Sequence, residues 1–210
     1  MQRFPVISRR VDQLQELANP STGRGVTEAV PWVWYDTLLY DSTVTRQHRY
    51  FQQVAGLGVT NMEAAGSLPA PKSFLIQTIE LYVFPTNTIA ADGTTIAAAK
   101  NLPDIHDLCK VGWLELYIGS KAYLQEGPLM KFPPRSGITG LQVGADSTAN
   151  TGVRVDYASL GGPVYELDPW VLLVPTQNFV VSLNWASAVN INANCTIVCN
   201  LGGILYRNSQ

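Results

Sequence analysis

The feature that most constrains the fold is a strict alternation of residue types near the end of the chain. In residues 179–185 (FVVSLNW) and again in residues 195–201 (CTIVCNL), every odd-numbered position is apolar. A period of two places these side chains on one face of a β-strand. Residues 166–207, which include both runs, contain breakers rich in Pro, Asn and Gly and show no helical period. This closing block therefore predicts antiparallel β structure.

Apolar runs earlier in the chain predict further strands. They cover residues 32–40 (WVWYDTLLY), 47–54, 74–84 (FLIQTIELYVF), 112–125 (one strand or a hairpin turning near Gly119) and 153–157. Segment 74–84 is apolar at both parities, which is typical of a central strand covered on both faces. Only residues 8–17 and 97–109 have helix-like patterns, and Pro103 breaks the second one early. We therefore predict an all-β fold, a single jelly-roll-like β-sandwich with an extended N-terminal arm, because the strands are irregularly spaced and joined by long crossings.

The domain division follows from the absence of any linker after the first strand. Residues 1–31 are predicted to form the N-terminal arm, and residues 32–210 the β-sandwich (jelly-roll) domain. The arm contains Leu14 and Leu17 on one apolar stripe, and it is mildly basic through Arg3, Arg9, Arg10 and Arg24. Such an arm either docks on its own domain or reaches a neighbour. It could also touch nucleic acid inside a particle, although an ordinary terminus is the more common role.

The composition is short of charge. Charged residues make up 14% of the chain, whereas a soluble domain usually has about 25%. Either the surface is neutral and polar, or other subunits cover much of it, because the cores of interfaces are depleted in charge. We favour the second explanation, since a net charge of -2 lies in the range that promotes association. The same balance argues against a large nucleic-acid footprint.

The sequence also indicates the kind of compartment in which the protein is synthesised. No apolar run is long enough to predict a membrane span, and the first residues lack the pattern of a secretory signal. The three cysteines are too few for a disulfide framework. Cys195 and Cys199 share one strand face about 13 Å apart, beyond disulfide reach, so we expect them to pack in the core. These observations favour synthesis in a reducing compartment.

Motifs for catalysis are missing from the sequence. His48 and His106 are isolated, and no nucleophile elbow or phosphate-binding loop is present. Glu80, Glu115 and Asp156 could supply a carboxylate pair only by the chance pairing that any β protein offers. We therefore expect no enzyme activity, no cofactor and no metal site. The five tryptophans could instead line a sugar-binding face, although aromatic residues at strand parity are more often core or interface anchors.

Several segments together carry a resemblance. They are residues 35–42 (YDTLLYDS), 66–76 (GSLPAPKSFLI), 166–169 (ELDP), 177–181 (QNFVV) and 203–207 (GILYR). From Tyr35 onward the chain resembles structural proteins of tailed or icosahedral bacteriophages that have jelly-roll folds. The resemblance implies a virion protein that is synthesised in the host cytoplasm and has no catalytic residues.

The expected function is therefore a non-enzymatic structural component of a phage capsid, a coat or cement (decoration) subunit. Its expected partners are copies of itself and other capsid proteins, with no membrane span and no nucleic acid except through the arm. The arm and the long connection at residues 128–149 are expected to contact neighbouring subunits. The residues assigned to these assembly contacts are Arg3, Arg9, Arg10, Leu14, Leu17, Arg24, Phe132 and Arg135. The alternative is a tail-associated or receptor/carbohydrate-binding β-sandwich module.

Overall fold

The structure is a computed structural model of the chain. It describes residues 27–41, 43, 46–85, 101–134, 140–145, 153–158, 162–191 and 194–208. In chain order the elements are β1 (Thr27–Tyr40), β2 (Gln47–Tyr50), β3 (Ser73–Pro85), α1 (Asn101–Val111), β4 (Gly112–Ile118), β5 (Lys121–Glu126), a 3₁₀ turn (Leu129–Lys131), β6 (Gly140–Ala145), β7 (Val153–Ala158), β8 (Tyr165–Leu173), β9 (Phe179–Trp185) and β10 (Cys195–Asn208). The chain is mostly β, as the sequence predicts.

Two antiparallel four-stranded sheets form a sandwich. The first sheet has the strand order β1-β10-β3-β8 and the second sheet the order β2-β9-β4-β5, while β6 and β7 form a separate hairpin. The pairing is nested, because β1 pairs with β10, β2 with β9, β3 with β8 and β4 with β5. Strand β10 therefore lies inside the first sheet, between β1 and β3.

The core lies between the two sheets and is built from the alternating positions that the closing block predicts. The odd-numbered residues of β9 and the odd-numbered residues of β10 up to Leu201 all belong to one buried cluster. Strand β1 adds Trp34, Leu38 and Tyr40 to that cluster from its even-numbered positions. Fully burying each large apolar side chain contributes about 1.5–3 kcal/mol, so the period-two pattern specifies which face of each strand turns inward.

A β-bulge at Gln77 changes the parity of β3. In the register with β10, Ile76 pairs with Gly203 and Thr78 with Gly202, so Gln77 has no cross-strand partner. The extra residue reverses the two faces. As a result, core positions are even-numbered before the bulge and odd-numbered after it, where Ile79 is the first. The mixed parity of residues 74–84 comes mainly from this bulge, although Leu75 is also buried on the outer face, in a small second cluster with Tyr206.

Two strand boundaries differ from the predictions. Strand β1 begins at Thr27, so residues 27–31 belong to the sandwich and not to the arm that was predicted to span residues 1–31. Strand β2 ends at Tyr50 and does not reach residue 54, because Phe51 adopts a left-handed conformation with φ 66° that cannot continue a ladder.

The hairpin agrees with the sequence pattern, and a helix forms at the second candidate, but the prediction that Pro103 breaks that helix is wrong. Residues 112–125 form the hairpin alternative, with β4 and β5 joined at Gly119, whose φ of 59° suits glycine. Helix α1 begins at Asn101, so Pro103 lies in its first turn, where a missing N–H is tolerated. The other helix candidate, residues 8–17, lies outside the described residues.

Backbone hydrogen bonds tie the connections together at the two ends of the sandwich. At the end that we call the loop end, Gly119 N donates to Asn178 O at 2.7 Å and Thr176 N donates to Leu68 O at 2.8 Å. These bonds join the β2–β3, β4–β5 and β8–β9 connections. At the opposite end, Trp185 Nε1 donates to Leu108 O of α1 at 3.0 Å. None of the helices in the described part of the chain has the length and apolar character needed to cross a membrane.

Candidate functional site

The assembly contacts predicted from the sequence lie mostly outside the described residues. This holds for Arg3, Arg9, Arg10, Leu14, Leu17, Arg24 and Arg135. Phe132 is described, and its side chain is 1% exposed, with its ring 4.6 Å from that of Tyr165. The assignment of Phe132 to a surface contact is therefore wrong: this apolar residue of the proline-rich connection is buried in the core of its own domain.

A groove runs across the outer face of the first sheet, the face turned away from the core. We call it the outer groove; its volume is about 700 Å³. The described residues that line it are Pro31, Trp32, Val33, Tyr35, Asn61, Gln77, Thr78, Glu80, Tyr82, Asn200, Gly202 and Gly203. One cross-strand row, in which Tyr35 pairs with Asn200 and Asn200 with Glu80, crosses it from β1 to β3.

The floor of the outer groove has no side chains at Gly202 and Gly203. A Cβ atom at Gly203 would lie 1.9 Å from Leu75 O, and a Cβ atom at Gly202 would lie 2.5 Å from Thr78 Oγ1. Neighbouring atoms therefore occupy the space that a side chain would need. The groove was not predicted from the sequence, and the signal that could have found it is this glycine pair inside an otherwise apolar strand, which marks a close backbone approach.

The wall on β3 combines a carboxylate with aromatic rings. Glu80 is 7% exposed, and Tyr82 Oη donates a hydrogen bond to Glu80 Oε2 at 3.1 Å. The ring of Tyr82 stacks on that of Phe84, with centroids 6.0 Å apart and planes inclined by 14°. Glu80 is therefore a largely buried acidic side chain held in place by a neighbouring residue of its own strand.

The wall on β1 is held by a loop that pairs with the strand edge. Tyr35 N donates to Asn61 Oδ1 at 2.8 Å, and Asn61 Nδ2 donates to Val33 O at 2.8 Å. Thr60 Oγ1 donates to Tyr35 O at 2.8 Å, while the hydroxyl of Tyr35 donates to Leu57 O. These bonds satisfy edge groups that could otherwise recruit a foreign strand, and they fix the rim of the groove.

The same loop presents apolar side chains to solvent. Val54, Leu57 and Val59 are all exposed, and Leu57 is 78% exposed. Gly56 and Gly58, which lie between them, have open space where a Cβ atom would stand. We call residues 52–59 the apolar loop. Single exposed apolar residues are ordinary, but three within one short segment form the kind of patch that marks an interaction surface.

Another outer-face carboxylate lies on the second sheet. Trp113 Nε1 donates to Glu115 Oε1 at 3.0 Å, and Gln125 Nε2 donates to the same oxygen at 2.9 Å. The charge of Glu115 is the main cause that raises the pKa of the nearby Tyr117, ahead of burial and a hydrogen bond. Glu115 is therefore a surface carboxylate that two side-chain donors hold in place.

A buried polar group links β1 to β2. Asp36 lies in the core and accepts hydrogen bonds from Thr37 N at 2.8 Å and from Phe51 N. Tyr50 Oη donates to Ile197 O at 3.1 Å, and burial raises the pKa of Tyr50. Burial lowers the pKa of His48, partly opposed by the charge of Asp36. These contacts hold the left-handed turn at Phe51, so the group stabilises the fold.

The cysteines are core residues, as predicted for Cys195 and Cys199. Cys109, Cys195 and Cys199 are all buried, and burial raises the pKa of Cys109 to about 12, which makes its thiol a poor nucleophile. Cys109 also borders a small apolar cavity of about 120 Å³ next to Leu129. Within the described ranges, no three His, Cys, Asp or Glu side chains are grouped so that they could hold a metal ion.

Comparisons with protein families, curated proteins and solved structures gave no match.

Proposed function

We propose that this protein is a non-enzymatic structural subunit of a bacteriophage capsid, a coat or cement protein whose sandwich is a jelly roll. The observation that carries the proposal is the nested strand order. Without the β6–β7 hairpin, eight strands remain, and they pair from the outermost to the innermost across two four-stranded sheets. Jelly rolls consist of eight strands in two sheets, and viral capsid proteins, lectins and cupins are built on them.

Composition and the surface favour the capsid among these classes. The chain has few charges, 14%, and a net charge of -2, as suits a surface that neighbours cover. The apolar loop lies in the connection that forms the loop end, and it presents Leu57 to solvent. The resemblance of several segments to phage structural proteins points in the same direction.

The physical mechanism is the sum of many weak contacts. Fully burying a leucine side chain contributes about 1.5–3 kcal/mol, so one apolar loop supplies too little energy for a stable pair. A subunit that touches several neighbours at once gains effective concentration with each further contact. Residues 1–26 and Arg135 remain proposed contacts in this assembly, with the genome as a further partner of the basic residues before Thr27.

The proposal is tested by measuring assembly of a variant of the apolar loop. Leu57→Ser removes the most exposed apolar side chain, and Val111→Ser is the matched control, because Val111 is 51% exposed at the end of α1. Sedimentation is measured over a range of concentrations, with and without parent shells. Losing about 1.4 kcal/mol at the contact weakens association about tenfold.

We expect concentration-dependent assembly of the wild type, about tenfold weaker assembly of Leu57→Ser, and no change for Val111→Ser. A wild-type protein that stays monomeric and does not bind parent shells would contradict the proposed function. Equal assembly of the Leu57→Ser and Val111→Ser variants would show that the apolar loop is not part of the contact surface.

A further inference from the structure

One end of the outer face of the first sheet is apolar where a sandwich usually has polar side chains. A single cross-strand row there consists of Pro31 of β1, Ile204 of β10, Leu75 of β3 and Leu172 of β8, each paired with the next. Directly opposed residues share a face of the sheet, so this row, which we call the outer apolar row, crosses all four strands. Strand faces that meet solvent are usually polar, and the row is therefore suited to being covered.

The outer apolar row is only partly shielded by its own neighbours. Leu75 is 3% exposed, but Trp170, Leu172 and Ile204, which pack against its cluster, are only partly buried. Pro31, at the β1 end of the row, is exposed. Contiguous apolar surface of this kind marks an interaction site.

We infer that residues 8–17 of the same chain dock on the outer apolar row. This segment lies outside the described residues, but its sequence has the pattern that such a contact needs. At 100° per residue, Val11, Leu14 and Leu17 fall on one side of a helix. Asp12 and Glu16 fall on the opposite side. An amphipathic segment of this kind packs its apolar side against a protein surface and leaves its charges in water.

The segment joins the described chain close to the row. Strand β1 begins at Thr27, four residues before Pro31, and Leu172 lies three strands away from Pro31 in the first sheet. With a rise of about 3.4 Å per residue and about 4.8 Å between strands, Thr27 is about 20 Å from the far end of the row. The connection, residues 18–26 (ANPSTGRGV), can extend to about 30 Å. The segment can therefore reach every part of the row.

The connection favours docking within one chain over docking on a second copy. Its composition is that of a loop, and a flexible chain of this length has a root-mean-square end-to-end distance of about 15–18 Å. The effective concentration of a tethered segment is highest when this distance is close to the span, which is about 20 Å here. The contact goes beyond the proposed shell function, because it forms inside a single subunit and can be measured in a monomer.

Disulfide trapping in the full chain tests the docking. In the double variant Leu14→Cys/Ile204→Cys, a docked segment brings the two new thiols together, and a disulfide forms only when the Cα atoms are within about 7 Å. The native cysteines are buried, so they react slowly with a mild oxidant. The products are separated on non-reducing gels and identified by mass spectrometry at several protein concentrations. We expect an intramolecular disulfide whose yield does not change with concentration.

Two matched controls define the specificity of the trapping. Asp12→Cys/Ile204→Cys places the first thiol on the opposite side of the same segment. Leu14→Cys/Tyr123→Cys keeps the first thiol and places the second on β5 of the second sheet, where Tyr123 is 51% exposed. We expect disulfide formation to be at least about tenfold slower in both controls, because neither pair is held together by the docked segment.

Three results would overturn the inference, and none of them depends on shell assembly. Equal rates in the test pair and the controls would show that the segment does not dock at the row. Disulfide-linked dimers as the main product would assign the row to a second copy. If Ile204→Cys proves unfolded by circular dichroism, Leu17→Cys/Leu172→Cys replaces it, and no disulfide in the folded variant would contradict docking.

Discussion

Gly203 offers a direct test of how β10 fits into the first sheet. A Cβ atom at this position would lie 1.9 Å from Leu75 O of β3. Separations below 3.0 Å are essentially never seen for real Cβ atoms. In Gly203→Ala, the two strands must therefore move apart by about 1 Å beside the bulge. The obstructing atom belongs to the backbone, so no side-chain rotation can relieve the clash.

The size of the effect follows from what this movement disturbs. Forcing an extra carbon into a well-packed site costs about 1–3 kcal/mol, and each backbone hydrogen bond that is weakened costs about 0.5–1.5 kcal/mol more. With one or two such bonds affected, we expect Gly203→Ala to lower the free energy of unfolding by about 3 kcal/mol. That is a large part of the roughly 5–15 kcal/mol typical of a folded domain.

Urea unfolding followed by circular dichroism measures this change, with Gly58→Ala as the matched control. Gly58 lies in the exposed apolar loop, and a Cβ atom added there would meet no atom of a non-adjacent residue within 4 Å. Its substitution should change the free energy of unfolding by no more than about 0.5 kcal/mol. Equal stability of the two alanine variants would refute the close approach of β10 to β3.

Two further predictions concern the buried polar group between β1 and β2. Asp36→Asn should lower the free energy of unfolding by about 2 kcal/mol, because the carboxylate accepts hydrogen bonds from two backbone N–H groups and bonds to charged groups are worth about 1.5–3 kcal/mol. In urea unfolding, a change below about 0.5 kcal/mol would contradict this role. Burial lowers the pKa of His48 from its ordinary value of 6.5, so below that pH the unfolded chain binds more protons than the folded chain. The free energy of unfolding should therefore fall as the pH drops below about 6.5 toward the folded-state pKa. His48→Phe should make unfolding midpoints at about pH 7.5 and about pH 5.5 more nearly equal, and an unchanged difference would show that His48 is not the group responsible.

Local pattern was enough to predict most of the strands and the inward faces of the last two, but it missed β6 (Gly140–Ala145), which lies in residues predicted to be a long connection. In β9, and in β10 up to Leu201, the alternation survives because each strand is regular there and buries a single face. The hairpin at Gly119 was likewise one of two predicted alternatives, since glycine readily takes the positive φ of 59° found there.

Features that depend on distant partners could not be predicted in the same way. The bulge at Gln77 is defined by the register with β10 and β8, and nothing in residues 74–84 alone reveals which residue will lack a partner. The outer groove combines Tyr35, Glu80 and Asn200, which become neighbours only when the nested pairing forms. Phe132 was misassigned for a related reason, because its burial depends on contacts such as that with Tyr165.

We propose that this chain is a structural subunit of a phage shell. Electron microscopy of the purified full-length protein, alone and in its parent particle, tests it most directly. We expect closed oligomers, lattices or shell-bound density into which the two-sheet sandwich fits, with the apolar loop around Leu57 at a contact between subunits. Only isolated monomers in the purified sample, together with no density for the protein in the particle shell, would contradict the claim.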